Sequence, residues 1–558
     1  MNLYDKSSLI LVPGAVKDGK VYSQRPENGS GDFTFTRASS ATRVNSDGLI
    51  EKETQNLLLQ SNSFDTTWGN SNSTETSGQA GYDGSSDAWL LTATSSTDAY
   101  ISQSLSLNFL QTFSVYAKAN TADFVELVAI GGANPRAWFN LSTGSVGTSY
   151  NVVGTNIESI GSGWYRCSII LNASITSCRI YASDSDNSTA VTIGNSIYIQ
   201  DAQLNQGLVA DSYLETTTTA VYGGITDNIP RLDYTDASCP SLLLEPQRTN
   251  LVPYSELINT STYFITNSTQ EEFAGTSPDG SNTATKITST GYTIFRPFGA
   301  LTLATNTTYT FSFYAKNIDA TGAWFRVYNS SAANNLVNTT SYFNQLILGE
   351  WVRVEYTFTT TATDTQYYPY LQDGNQGGSI LYWGVQLESG SYPKSYIPTY
   401  GASVTRVVDW CRNNSATSLI GQTEGTLFLD LNVTTIDENS FLFGIYGGGN
   451  EIYFRGLALN KIGFVHYFGG AIAYIFTTTL SEGRYKLAAC YKNNDWVLYL
   501  NGSLVNTDTS GTFSGGSINN VTFGYSSIGA YPPFESVNKA ILFKTRLSNE
   551  ELADLTTI

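Results

Sequence analysis

Along most of the chain, hydrophobic and polar positions alternate with a period of two. Thr112-Phe113-Ser114-Val115-Tyr116-Ala117-Lys118 and Trp351-Val352-Arg353-Val354-Glu355-Tyr356-Thr357-Phe358 show the pattern, which predicts strands with one face buried. Ser/Thr/Asn/Gly-rich stretches separate such runs. Asp18-Gly19, Asp47-Gly48, Asp373-Gly374 and Asn501-Gly502 supply the positive-φ positions that tight hairpins need. Helical periodicity is nearly absent. Its best instance is Leu547 to Leu555, where Ser548 followed by Glu551 predicts a capping box and a short terminal helix. Many short strands punctuated by turns predict an all-β chain built as a series of β-sandwiches of jelly-roll type.

An internal repeat organises this series. Asn56-Leu57-Leu58-Leu59-Gln60-Ser61 is echoed by Asn250-Leu251-Val252-Pro253-Tyr254-Ser255, and the Thr112 to Lys118 run by Thr310-Phe311-Ser312-Phe313-Tyr314-Ala315-Lys316. Gly163-Trp164-Tyr165-Arg166 is answered by Glu350-Trp351-Val352-Arg353, and Ile197 to Leu204 by Leu381 to Leu387. Asp211-Ser212-Tyr213-Leu214-Glu215-Thr216 returns as Lys394-Ser395-Tyr396-Ile397-Pro398-Thr399. The order is kept while loop lengths differ, which predicts two homologous modules, 55–216 and 249–405. Residues 1–54 and 217–248 read as strand-like lead-ins, the first of them as an attachment or assembly end. Residues 412–558 form a third unit with a different rhythm.

Composition narrows the function classes. The 558 residues carry 29 Lys+Arg against 47 Asp+Glu, a formal charge of −18 without a basic cluster, so nucleic acid is not an expected partner. No run of apolar residues is long enough to span a bilayer, so membrane insertion is not expected. The opening residues lack a basic region followed by an apolar one, so a cleaved secretory signal is not expected either.

Leu243-Leu244-Glu245-Pro246-Gln247-Arg248-Thr249-Asn250-Leu251, the Phe-Ser-x-Tyr-Ala-Lys strands, and Gln386-Leu387-Glu388 with Ser395 to Thr399 and Thr405-Arg406 resemble carbohydrate-binding-like jelly-roll domains of bacteriophage head-spike and tail-fibre proteins. The first module matches more loosely, through Gln203-Leu204-Asn205 and Ser212 to Thr216. Residues 412–558 resemble a concanavalin A-like (laminin-G-like) lectin sandwich, through Trp496 to Val505, Val521-Thr522-Phe523-Gly524 and Ala540 to Phe543 with the terminal helix. These resemblances imply a virion-surface fibre or spike protein, assembled in the bacterial cytoplasm and released by lysis. They further imply a homo-oligomer, with a trimer expected, attached to other virion proteins through the N-terminal segment and bound to host-surface or mucosal glycans. A purely structural capsid or tail connector is the alternative, and a polysaccharide depolymerase a third reading.

Candidate chemistry is sparse. Sugar binding requires aromatic faces flanked by polar groups. The glycan-binding candidates are Tyr446 and Asn450, Tyr531 and Phe534, read as loops of the third unit, together with Trp138 and Trp324, for which core packing competes. The single His466 sits on a strand and has no triad or zinc partners in sequence. No Glu-x-Asp-x-Glu triplet of the concanavalin A-like glucanases is present, so an enzyme is not expected. Calcium is the one cofactor the resemblances allow, with Asp184-Ser185-Asp186 the nearest fragment of a loop site and no ligands assignable. Cys167 and Cys178 would face each other if a hairpin turned near Asn172-Ala173. That leaves a cross-strand disulfide or two buried thiols, with thiols favoured in a reducing compartment.

Overall fold

Sequence alternation becomes burial wherever a strand has one solvent face: Phe33–Thr36 and Trp324–Asn329 bury every second side chain. The computed structural model describes residues 2–235, 238–433, 440–458, 460–468, 471–512, 517–524 and 535–558. Among them the architecture is all-β, with every ladder antiparallel and three large hydrophobic cores.

The first core is enclosed by a ten-stranded arrangement whose spine is two 20-residue strands, Tyr100–Ala119 and Trp164–Ser183, paired along their length. The second core lies between a six-stranded sheet, including Ala284–Pro297, Thr308–Asn317, Trp351–Thr359 and Ser379–Ser389, and a four-stranded sheet. The latter contains Trp324–Asn329, Asn334–Ser341 and Gln366–Tyr370. The repeated residues do the same work in both. Asn56 donates to the carbonyls of Ala202 (3.1 Å) and Leu214 (2.8 Å), and Asn250 to those of Val385 (3.1 Å) and Ile397 (2.9 Å). Ser61 and Tyr213 share a 2.6 Å hydroxyl contact, as do Ser255 and Tyr396. These fully satisfied buried polar contacts tie the first and last segments of each module together.

The third core joins distant parts of the chain. Ser7–Leu11 pairs with Glu535–Phe543, Phe33–Thr36 with Trp410–Asn413, and Ser241–Leu244 with the start of Glu535–Phe543. The segment set apart in sequence as an assembly end thus supplies strands to both sheets of the third sandwich, and Leu9, Leu11, Phe33 and Phe35 are fully buried there. The terminal helix Asn549–Thr556 carries the expected capping box, with Ser548 and Glu551 bonded reciprocally. Its Leu552 is buried in a cluster with Ala488, Tyr499 and Phe543.

Where the lead-ins meet, five charged side chains form a buried knot. Arg231 donates to Glu245 at 2.6 Å and also binds Asp409, Arg406 binds Glu245, and Arg37 reaches Asp409 at 3.2 Å. Each is at most 3% exposed at its side chain. Burial and the neighbouring arginines lower Arg37 to about 10; burial would raise Glu245, but Arg406 and Arg231 outweigh it and hold the carboxylate well below its usual range. A second junction is centred on Lys52, which pairs with Glu256 (3.0 Å) and Asp279 (2.7 Å) of the second module.

Cys167 and Cys178 do not face each other. The chain does not turn at Asn172-Ala173 but continues as one strand from Trp164 to Ser183, and eleven residues of extended backbone span about 35 Å. Both are free, buried thiols, pushed up in pKa by burial alone.

Candidate functional site

The four-stranded sheet of the second module turns an aromatic and cationic face outward. In Trp324–Asn329, Phe325, Val327 and Asn329 point into the core, leaving Trp324, Arg326 and Tyr328 on the other side. Gln366–Tyr370 pairs with it so that Arg326 stands opposite Tyr370 and Tyr328 opposite Tyr368. Arg296, from the adjoining sheet, completes a ladder of stacked groups. Its guanidinium lies 4.0 Å from the Tyr368 ring centroid and 4.5 Å from that of Phe264, while Arg326 lies 4.1 Å from Tyr370 and 5.5 Å from Tyr328.

Such contacts hold arginine over the ring quadrupole and fix both partners in rigid register. Asp373 closes one end, pairing with Arg326 at 3.2 Å and accepting from Thr339 at 3.0 Å. Tyr292, whose hydroxyl donates to the Asp373 carbonyl at 3.3 Å, and Phe298, whose carbonyl accepts from Arg296 at 3.1 Å, are more than half exposed. The face therefore presents flat apolar surface next to oriented N–H donors, while the Asp373 carboxylate that holds Arg326 is itself buried.

Trp324 borders this face. Its ring lies over Gly322 and Gly374, where a Cβ would run into it, so glycine at both positions makes its seat. The other expected residues are placed differently. Trp138 occupies the corresponding outer side of the first module but is buried, donating to the Ser188 carbonyl at 2.9 Å beneath the loop after Ser183. Tyr446 and Asn450 are strand residues, not loop residues, because Gly448 and Gly449, both at positive φ, form a two-residue turn between Phe441–Gly447 and Asn450–Ala458. Asn450 is buried and its side-chain oxygen meets His466 Nε2 at 3.0 Å. Tyr531 and Phe534 lie outside the described residues.

His466 stacks on Trp496 at 4.8 Å and is lowered to about 4 by burial, so its imidazole is neutral at physiological pH. Asp184 accepts from Thr192 and Asn195, and Asp186 from Thr148, so both carboxylates hold loops in place. Among the described residues no group of three His, Cys, Asp or Glu is placed to hold a metal ion.

The ladder residues Arg296, Arg326, Tyr328, Tyr368 and Tyr370 were not singled out in the sequence. In Trp-Phe-Arg-Val-Tyr-Asn and Gln-Tyr-Tyr-Pro-Tyr aromatics fall in both phases of the alternation, so only the sheet tells the outward phase from the inward one.

No protein-family model and no curated protein matches the chain. Among solved structures it is similar to the N-terminal CBM22-1–CBM22-2 tandem domain of Paenibacillus barcinonensis Xyn10C, at 14% identity over 60% of this chain and 98% of that one, with a TM-score of 0.21. It is similar also to the tandem CBM51 modules of Sp3GH98, the family 98 glycoside hydrolase of Streptococcus pneumoniae SP3-BS71, at 10% identity over 64% and 99% of the two chains, with a TM-score of 0.15. A third likeness is to Trypanosoma rangeli sialidase, at 9% identity over 93% and 98%, with a TM-score of 0.21. At these TM-scores the site stands on its own geometry.

Proposed function

We propose that this chain is a glycan-binding protein without catalytic activity, displayed as a fibre or spike on a bacteriophage virion, and that the second module's tyrosine–arginine ladder is its contact surface. The ladder is the single observation that supports binding. A pyranose lays its C–H face on tyrosine rings held flat by arginine, and its hydroxyls reach the guanidinium donors. The virion setting rests on the sequence resemblance, and oligomerisation would multiply weak single contacts through effective concentration.

The test is retention of the full chain on host-surface polysaccharide, with reducing ends assayed in parallel. A Tyr328→Ala/Tyr368→Ala variant is expected to bind about tenfold more weakly while unfolding at the same temperature, since both side chains are half-exposed and outside the core. Wild-type protein that binds no host polysaccharide, or that releases reducing ends, would overturn the proposal. One observation favours a purely structural connector instead: the buried knot welds the lead-ins and the third sandwich into a stiff unit. That reading requires that no polysaccharide be retained.

A further inference from the structure

A separate concavity lies on the outer side of the second module's six-stranded sheet, where that sheet faces the lead-ins and the edge of the third sandwich. It is a half-open cleft of about 770 Å³. Its floor is made of repeated residues, so the first module shows what the same shelf looks like when closed.

In the first module Tyr116 stands opposite Arg166 and Lys118 opposite Trp164; in the second, Tyr314 stands opposite Arg353 and Lys316 opposite Trp351. Arg166 donates to Ser114 at 3.3 Å and Arg353 to Ser312 at 3.0 Å. The guanidinium groups lie 5.2 Å from the Tyr116 ring and 5.6 Å from the Tyr314 ring. The two shelves are the same construction.

They differ in what lies on top. In the first module Tyr82 stacks on Tyr116, with centroids 4.0 Å apart and planes within 8°, and its hydroxyl donates to Asp201 at 2.8 Å. Tyr82 belongs to the turn Tyr82-Asp83-Gly84-Ser85, whose counterpart is Pro278-Asp279-Gly280-Ser281. In both turns the aspartate accepts from the backbone of the serine two residues on, at 3.0 and 3.1 Å. Proline therefore replaces the covering tyrosine. Its hydroxyl's partner is lost as well: Asp201 and Gly384 occupy matching positive-φ positions, at 52° and 64°. Ring and anchor are absent together: Trp383 meets the Tyr314 ring edge-on, with centroids 5.6 Å apart, and among the described residues no ring lies parallel over it as Tyr82 does over Tyr116.

The open shelf is cationic in a chain of net charge −18. Lys316 and Arg353 line it with no ion pair at salt-bridge distance among the described residues, although Glu355 and Glu388 lie near enough to feel Arg353. The two carboxylates of the lining are already engaged. Glu245 belongs to the knot, and Asp233 accepts from the backbone of Val44 (2.9 Å) and Thr235 (3.0 Å).

We infer that this cleft is a second binding site, for a carboxylate-bearing pyranoside, whose ring takes the place over Tyr314 that Tyr82 takes over Tyr116 while its carboxylate meets Lys316 and Arg353. The site is independent of the tyrosine–arginine ladder and takes a different ligand class.

The experiment is calorimetric titration of the full chain with trigalacturonate and triglucuronate, against cellotriose as the neutral control. At least one uronate trimer is expected to bind about tenfold more tightly than cellotriose, with affinity falling as salt rises. Pro278→Tyr, which restores the lid of the first module, is expected to abolish binding. Lys316→Ala, a half-exposed position whose loss leaves the fold intact, is expected to weaken it about fivefold. Tyr328→Ala/Tyr368→Ala is expected to leave it unchanged, which separates this site from the ladder. The inference is overturned if neither uronate binds at millimolar concentration, if cellotriose binds as well as they do, or if Lys316→Ala and a folded Pro278→Tyr both bind like wild type.

Discussion

Replacing Glu245 with alanine is expected to destabilise the protein by about 3–5 kcal/mol, among the largest effects available to one substitution. Glu245 accepts from Arg231 and Arg406, and from the Ser395 backbone and hydroxyl at 2.8 and 2.6 Å. Without it, Arg37, Arg231 and Arg406 share Asp409 alone in an interior that excludes water, and an uncompensated buried cation costs more than the intact pair contributes. The arginines hold the Glu245 pKa well below its unfolded value, so its contribution is complete above pH 4.5 and is lost as the pH falls below that. Scanning calorimetry at pH 7 checks the prediction. A Glu245→Ala protein with an unshifted transition would show that the knot adds nothing.

Glu126→Gln is expected to work in the opposite direction and stabilise the first module. Glu126 is fully buried; Arg136 is 3.5 Å from one carboxylate oxygen, and the other oxygen has no hydrogen-bond partner. Burial raises its pKa to about 8, an effect Arg136 only partly offsets. The native state therefore holds a proton that the unfolded chain releases above pH 4.5, and stability falls as pH rises from there to about 8. Glutamine does not titrate. The variant should match wild type below pH 4.5 and exceed it by on the order of 3 kcal/mol at pH 8. Urea unfolding at pH 4 and pH 8 measures the difference, and a gain that does not grow with pH would refute the assignment.

Local patterns made much of the fold legible. Period-two alternation needs no knowledge of partners, and a capping box is complete within four residues, so the strands and the terminal helix could be read directly. The repeat could be read because Asn56 and Asn250, Ser61 and Ser255, and Tyr213 and Tyr396 form buried hydrogen bonds that tolerate few replacements. Strand partnership was not legible: nothing within Ser7–Leu11 records that it lies against Glu535–Phe543. Nor was the outward face, because tyrosine counts as hydrophobic in any alternation, and Tyr328 or Tyr368 reads as core until a sheet assigns it a side. Gly447-Gly448-Gly449 suggests a loop, yet two of these glycines make a tight turn that keeps Tyr446 and Asn450 in strands.

The interleaved third sandwich also imposes an order of events. Ser8 bonds to Leu542 across 534 residues of sequence. At a synthesis rate of about 10 residues per second, the first strand waits on the order of a minute for its partner. Both repeat modules emerge within that interval and can fold on their local contacts, which shortens the effective loop that the last pairing must close. Until then Leu9, Leu11, Phe33 and Phe35 stay uncovered on the nascent chain, so strands made before either module are among the last to be protected from aggregation.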